Sequence, residues 1–216
     1  MVLSLDYPHL RSNFIEEQLL RPWCNSHLQS QIVVLGAGLD VRAYRFKPLH
    51  INHHIVFEID FPNVINFKRK LMEKEKPLCK IVRLSADLVD SRWSSHLIKK
   101  GYSKEIPSFW ILEGLSYYID QDNFSSLITK TAEISKIGSQ IFIDILHSSR
   151  RVPSETTFTT AAFPKHHKWG LNKKNIPNFF TPTGWEVSSS FVGENDHDKD
   201  DGQKGMIFIH GRKIKF

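Results

Sequence analysis

The 216-residue chain predicts an open, doubly wound α/β sheet, mostly parallel and ending in an antiparallel hairpin. Three observations carry that prediction. Five short runs, Ile32–Leu35, Ile55–Ile59, Ile81–Leu84, Phe109–Leu112 and Gln140–Leu146, are apolar almost throughout. Strands buried on both faces read this way, as in parallel sheets covered by helices. Polar or amphipathic stretches of helical length separate the runs, giving a βαβ alternation. Near the C-terminus two more β-rich runs follow one another with no helix between them, which fits a hairpin and not a parallel crossover.

The first run ends in "LGAGLDVRAYRF". Gly36 and Gly38 suit a sharp strand-to-helix turn, where a ligand can approach the backbone and the helix N-terminus offers unpaired N–H groups. A dinucleotide fingerprint asks for a third small residue at position 41; Val41 stands there, and no P-loop lysine follows. The second run, "VFEIDFP", ends on Asp60, 24 residues beyond Gly36, where an acid can accept from ribose hydroxyls. Its other reading is a cap for a helix over Pro62–Lys74. Glu58 shares its side of the strand by period two but sits deeper. Past the third run, "LSADLVD" puts Asp87 in reach of an adenine amino group, and a helix is expected over Ser91–Lys100.

The fourth run ends "WILEGLSYYI", with Glu113 at its carboxyl edge. Helical spacing follows over Gln121–Ser135, where Phe124, Leu127, Ile128, Ala132 and Ile134 fall near a 3.6 period and Asp120 or Asp122 is the candidate cap. After the fifth run, residues 147–183 are loop-rich and basic, with Pro153, Pro164, Pro177 and Pro182. The hairpin strands, "GWEVSSSFV" and "GMIFIHGRKI", are joined by the acidic loop "GENDHDKDDGQKG". Four successive strand ends thus carry a glycine or an acid on the edge where open α/β sheets bind ligands. Together they point to a ribose-bearing cofactor.

Composition narrows the partners. The formal charge of +6 is spread over short clusters, Lys68-Arg69-Lys70, Lys99-Lys100, Arg150-Arg151, Lys173-Lys174 and the tail at Arg212, Lys213 and Lys215. Solvated faces account for them, and no nucleic acid partner is expected. No apolar run approaches the ~20 residues that span a bilayer, and the first ten residues lack a secretory pattern. Cys24 and Cys79 form no Cys-x-x-Cys motif, which argues against a disulfide framework or structural zinc and for a cytoplasmic setting. An EF-hand loop from Asp196 would need Gly at 201 and Glu at 207, where Asp201 and Ile207 stand. The pairs His53-His54 and His166-His167 are adjacent and share no face, so no metal is expected.

The blocks "QIVVLGAGLDVRAYRF", "FEIDFP", "ADL" and "EGLSYY", with "LRSNFIEEQLL" before the first strand and "HKWGLNKKNIPNFFTPTGWEV" before the sixth, resemble the leucine carboxyl methyltransferase family, most closely its bacterial O-methyltransferase branch. The likeness runs from about Arg11 to the end. It implies a Rossmann-like class I methyltransferase fold, one domain over residues 1–216, and S-adenosyl-L-methionine as cofactor. By the same resemblance Arg11 would hold the cofactor carboxylate, and Gly36 and Gly38 would pass beneath its methionine and ribose, braced by Asp40 and Arg42. Asp60 would take the ribose hydroxyls, Asp87 and Leu88 the adenine, and Glu113 the amino group. Tyr117 would line the site near the methyl. Bacterial members carry several dozen residues before the arginine block where ten stand here, which reads as a short N-terminal lid, and residues 147–183 read as a substrate-side insertion. Val41 replaces the usual threonine, and Glu16-Glu17 the common Asp-Asp.

Methyl transfer from a sulfonium is an in-line displacement that chiefly needs alignment in a water-shielded site. The expected acceptor is a small molecule or peptide terminus, acidic or hydroxylated. A carboxylate acceptor needs no base, and Arg150, Arg151, His166, His167 and Lys168 are candidates to orient it. A hydroxyl acceptor gains from a base, for which His147, just past the fifth strand, is the best placed. Two rivals stand beside this reading. One is an α/β-hydrolase with Ser116, Asp144 and His166 in chain order, although Tyr118 replaces the second elbow glycine. The other is a cofactor-binding protein that has lost catalysis.

Overall fold

The computed structural model describes residues 7–148, 169–191 and 205–214. Strands β1 (Gln29–Leu35), β2 (His53–Asp60), β3 (Lys80–Ser85), β4 (Ser108–Leu112), β5 (Gln140–Leu146), β6 (Trp185–Phe191) and β7 (Met206–Lys213) form one seven-stranded sheet in the order β3-β2-β1-β4-β5-β7-β6. The first five are parallel, and β7 lies antiparallel between β5 and β6. This is the doubly wound sheet with a terminal hairpin that the apolar runs predict. The order reverses between β1 and β4, and sheets of this kind open a crevice at that point.

β1 and β2 begin two or more residues before their apolar runs, and polar residues at their starts are buried against one another. The Trp23 indole donates to Ser30 Oγ at 2.9 Å, and that oxygen lies 2.8 Å from His54 Nδ1. Alternation along the strands then feeds two apolar layers. Val33, Leu35, Phe57, Trp110, Ile141 and Ile143 pack under α6 (Trp93–Lys99), α7 (Gln121–Glu133) and α8 (Ile176–Phe180). On the opposite face Ile32, Val34, Val56, Phe109 and Phe142 meet the N-terminal helices. Full burial of a phenylalanine such as Phe109, Phe124 or Phe142 contributes about 1.5–3 kcal/mol.

Residues 7–26, to which no element is assigned from sequence, are helical. They run as α1 (Tyr7–Asn13), a π-helical stretch over Phe14–Leu20 and α2 (Arg21–Ser26). The wider π turn spoils a 3.6 repeat, yet it buries Ile15, Leu19 and Leu20, and α2 adds Trp23. Two short helices, α3 (Arg42–Arg45) and α4 (Pro48–Ile51), follow β1. Then α5 (Pro62–Leu71) stops short of Lys74, and α7 is capped by Asp120, which accepts from Asn123 N at 3.0 Å, and not by Asp122.

In the cluster Lys68-Arg69-Lys70, Arg69 and Lys70 are exposed as expected, but Lys68 is not. Lys68 is fully buried and lies 3.0 Å from Glu58, which also accepts from Arg83 Nε at 2.8 Å. The Lys68 pair is an ion pair without hydrogen-bond geometry. Glu58 therefore braces α5 and β3 against β2 and takes no part at the sheet edge. Cys24 and Cys79 are free thiols, and burial pushes them up to about 12 and about 11.

His54 and His210 are held below their ordinary value of 6.5 by burial, so the unfolded chain protonates before the folded one. Their contribution to stability is complete above that ordinary value and is lost as pH falls through the lower folded-state values. The thermal midpoint should fall between about pH 7 and pH 5, and less steeply in His54→Gln. Equal slopes for both proteins would count against the histidine as a source of the fall.

Candidate functional site

At the carboxyl end of β1 the chain turns back on β2. Gly36 N and Ala37 N both donate to Ile59 O, at 2.9 and 3.0 Å. Gly36 and Gly38 hold φ of 67° and 43°, the left-handed region that L side chains avoid. A Cβ at Gly36 would come within 2.9 Å of Leu115 Cδ1, whereas one at Gly38 would meet nothing closer than a backbone oxygen at 4.0 Å. The second glycine thus leaves open space over the turn. Asp60 secures the arrangement: Oδ2 accepts from Gly38 N at 2.7 Å and Oδ1 from Phe61 N at 2.7 Å. Phe61 is the cap residue of α5, so Asp60 does not serve as the helix cap.

A cleft of ≈ 320 Å³ opens above this turn, walled by Arg11, Ser12 and Glu113 on one side and by Leu39–Arg42 and Arg45 on the other. Its walls are a lattice of charges. Arg42, 6% exposed, reaches Asp40 at 2.5 Å, Glu113 at 2.7 Å and Glu16 at 3.1 Å. Arg45 also pairs with Glu16. Glu113 Oε1 accepts from Arg11 Nε at 2.9 Å, so both its oxygens lie on guanidinium groups. Arg11 Nη1 donates in turn to Asp144 Oδ2 at 2.5 Å. Arg11 comes to this edge from α1 and Glu16 from the π-helical stretch that follows it.

Burial disfavours the charge on both Arg11 and Arg42, yet neighbouring carboxylates outweigh it and hold both guanidinium groups above their ordinary value. Behind the cleft Arg11 meets the buried Asp144, around which Tyr7 and Tyr117 are also buried. Tyr7 and Tyr117 each donate to Asp144 Oδ2 at 2.8 Å, and Gly114 N donates to Oδ1 at 2.6 Å. Burial first, and the Asp144 charge second, push both phenols well above their ordinary value, so they remain protonated donors.

Of the candidates, Arg11, Gly36, Gly38 and Glu113 are brought together on the cleft, and Asp60 stands directly behind the glycine turn. Asp87 shapes the turn after β3, accepting from Val89 N at 2.9 Å, and Leu88 is packed into the apolar layer with Leu84 and Trp93. Tyr117 is not on the cleft; it is buried, with its hydroxyl on Asp144. His147 is half-buried beyond β5, bridged in parallel to Leu171. Ser116 is fully buried and donates to the Asp144 carbonyl at 2.8 Å, which denies it the exposure a hydrolase nucleophile needs. Arg150, Arg151, His166, His167, Lys168 and the acidic loop lie outside the described residues. Tyr7 and Glu16 had no assigned role at the site, and Asp144 only that of the acid in the hydrolase reading; its legible signal is an acid inside the apolar run "IFIDIL".

A model of leucine carboxyl methyltransferase matches residues 3–132. The chain belongs to the leucine carboxyl methyltransferase family. A Saccharopolyspora erythraea relative, named as an S-adenosyl-L-methionine-dependent methyltransferase, is 30% identical over 201 residues, covering 88% of this chain and 67% of its own length. Across the first curated relatives the chain spans between 44% and 67% of their length. Among solved structures, a Thermobifida fusca protein named as a methyltransferase superposes with a TM-score of 0.65 at 18% identity, over 96% of this chain and 84% of that one. A Burkholderia thailandensis O-methyltransferase family protein gives 0.64 at 14% identity, over 98% and 57%. Both share the Rossmann-like class I methyltransferase fold with this family member. No helix among the described residues is long and apolar enough to cross a membrane.

Two substitutions separate the parts of the turn in this leucine carboxyl methyltransferase relative. Gly36→Ala should lower stability by about 1–3 kcal/mol through φ strain and the Leu115 contact. Gly38→Ala should cost less, because its Cβ meets open space; chemical denaturation of both variants checks the order. Arg42→Ala strands Glu16, Asp40 and Glu113 around one missing cation and should cost about 3–5 kcal/mol. A loss below about 1 kcal/mol would mean those carboxylates are solvated in solution.

Proposed function

We propose that this chain binds S-adenosylmethionine in the cleft at the β1–β4 crevice and transfers its methyl group to an oxygen of a small-molecule or peptide-terminus acceptor. The observation that carries the reading is the glycine turn clamped by Asp60 beneath a cleft walled by Arg11 and Glu113. That donor set fits the group. A guanidinium suits a carboxylate, acids suit an ammonium, and the open space at Gly38 admits a ligand against the backbone. The bound cofactor would supply an electrophilic methyl on a sulfonium, needing alignment more than acid–base help.

Each residue has a stated part. Arg11, two of whose five N–H donors are engaged by Glu113 and Asp144, keeps three for a ligand carboxylate. Asp60 holds Gly38 and keeps lone pairs for ribose hydroxyls. Asp87 and Leu88 are the proposed adenine contacts. Tyr117 acts as a fixed hydroxyl donor and not as a base, since burial and Asp144 keep it protonated. A carboxylate acceptor, which the family's name describes, arrives already ionised and needs no base. For a hydroxyl acceptor His147, beside the β5 end, is the proposed base. The proposed setting is cytoplasmic.

Calorimetric titration with S-adenosylhomocysteine is the direct test. Wild-type protein should bind in the sub-millimolar range, and Asp60→Ala should weaken binding by about tenfold or more. Absence of binding, or affinity indifferent to Asp60, would remove the basis of the reading.

A further inference from the structure

The structure assigns a role to Asp144, an acid with no exposed surface in the middle of the sheet. We propose that it is the positioning residue that aims Arg11 at the cleft, and so sets affinity for the amino-acid end of the cofactor. The proposal rests on the cofactor reading above. A carboxylate removed from water costs several kcal/mol unless it is paired and fully hydrogen-bonded. Here one is buried and supplied with four donors: Gly114 N on Oδ1, and Tyr7 Oη, Tyr117 Oη and Arg11 Nη1 on Oδ2. Those donors come from α1 and from the turn after β4, which no strand pairing joins.

Arg11 is the one member of this group that also lines the cleft. Glu113 grips its Nε and Asp144 its Nη1, and two anchors on one planar guanidinium fix both its position and its plane. Without Asp144 the group keeps a single anchor and rotates about it. Tyr7 adds a second hold on the same helix, one turn before Arg11, with the guanidinium carbon 5.1 Å from its ring centroid. Among the described residues, the groups that donate to the Asp144 carboxylate are a backbone N–H, two protonated phenols and Arg11 itself. A carboxylate so placed shapes the cleft without touching a ligand.

The test compares two probes on the full chain: S-adenosylhomocysteine, and 5′-methylthioadenosine, which lacks the amino-acid end. Asp144→Asn should weaken the first by about tenfold and leave the second unchanged. Tyr7→Phe should act in the same direction by about fivefold, and it carries the test alone if Asp144→Asn fails to fold. Equal losses for both probes would mark a general packing defect and overturn the proposal. So would unchanged S-adenosylhomocysteine binding in the variants when wild type binds it. Wild-type protein that binds neither probe would overturn the cofactor reading, and this proposal with it.

Discussion

Glu113 lies between two arginines, and the upper edge of the sheet depends on that arrangement. One oxygen receives Arg11 from the N-terminal helix; the other receives Arg42 from the helix after the glycine turn. A carboxylate at the end of β4 thus joins segments that pair with no strand of the sheet. Arg42 extends the link to Asp40 and Glu16, and Arg11 extends it to Asp144. Such charges are costly to bury singly and stable only as a satisfied set. The set also shapes the cleft, because Arg11, Asp40, Arg42 and Glu113 line it and Glu16 and Asp144 hold two of them from behind.

A buried carboxylate does comparable work two strands away, on β2, without forming a site. Glu58 ties Lys68 of α5 and Arg83 of β3 to β2, and Arg83 reaches on to the Tyr44 hydroxyl at 2.6 Å. Both networks follow from one feature of parallel sheets. Helices and strands meet at their ends, where backbone groups and side-chain charges must find partners together. The difference is access. Glu58 is enclosed by α5, whereas Glu113 faces the crevice where strand order reverses. Position in the topology, and not residue type, separates a structural acid from one at a binding edge.

Much of the architecture was legible because it depends on local pattern. The five apolar runs mark the parallel strands, and the two runs without a helix between them mark the hairpin. Asp120 at a capping distance and the spacing of Phe124, Leu127 and Ile128 mark α7. Legibility failed where a local rule was broken. The π stretch over Phe14–Leu20 has no 3.6 period, so the N-terminal helices were not read. Lys68 looks like one of three surface cations, since nothing adjacent in sequence reveals its partner ten residues away on a neighbouring strand.

The same division holds at the site. By itself the sequence determined that a glycine turn, an acid 24 residues later and further acids sit at successive strand ends, because strand ends and turns are local events. It also carried the family likeness. Only the tertiary structure decided which acid meets which arginine. Asp144 lies 133 residues from Arg11 and 137 from Tyr7, and a single buried acid in an apolar strand reads equally as a core anomaly or as an anchor. Charge pairing across such separations depends on where the helices dock, and docking is a property of the packed sheet and not of any window of residues.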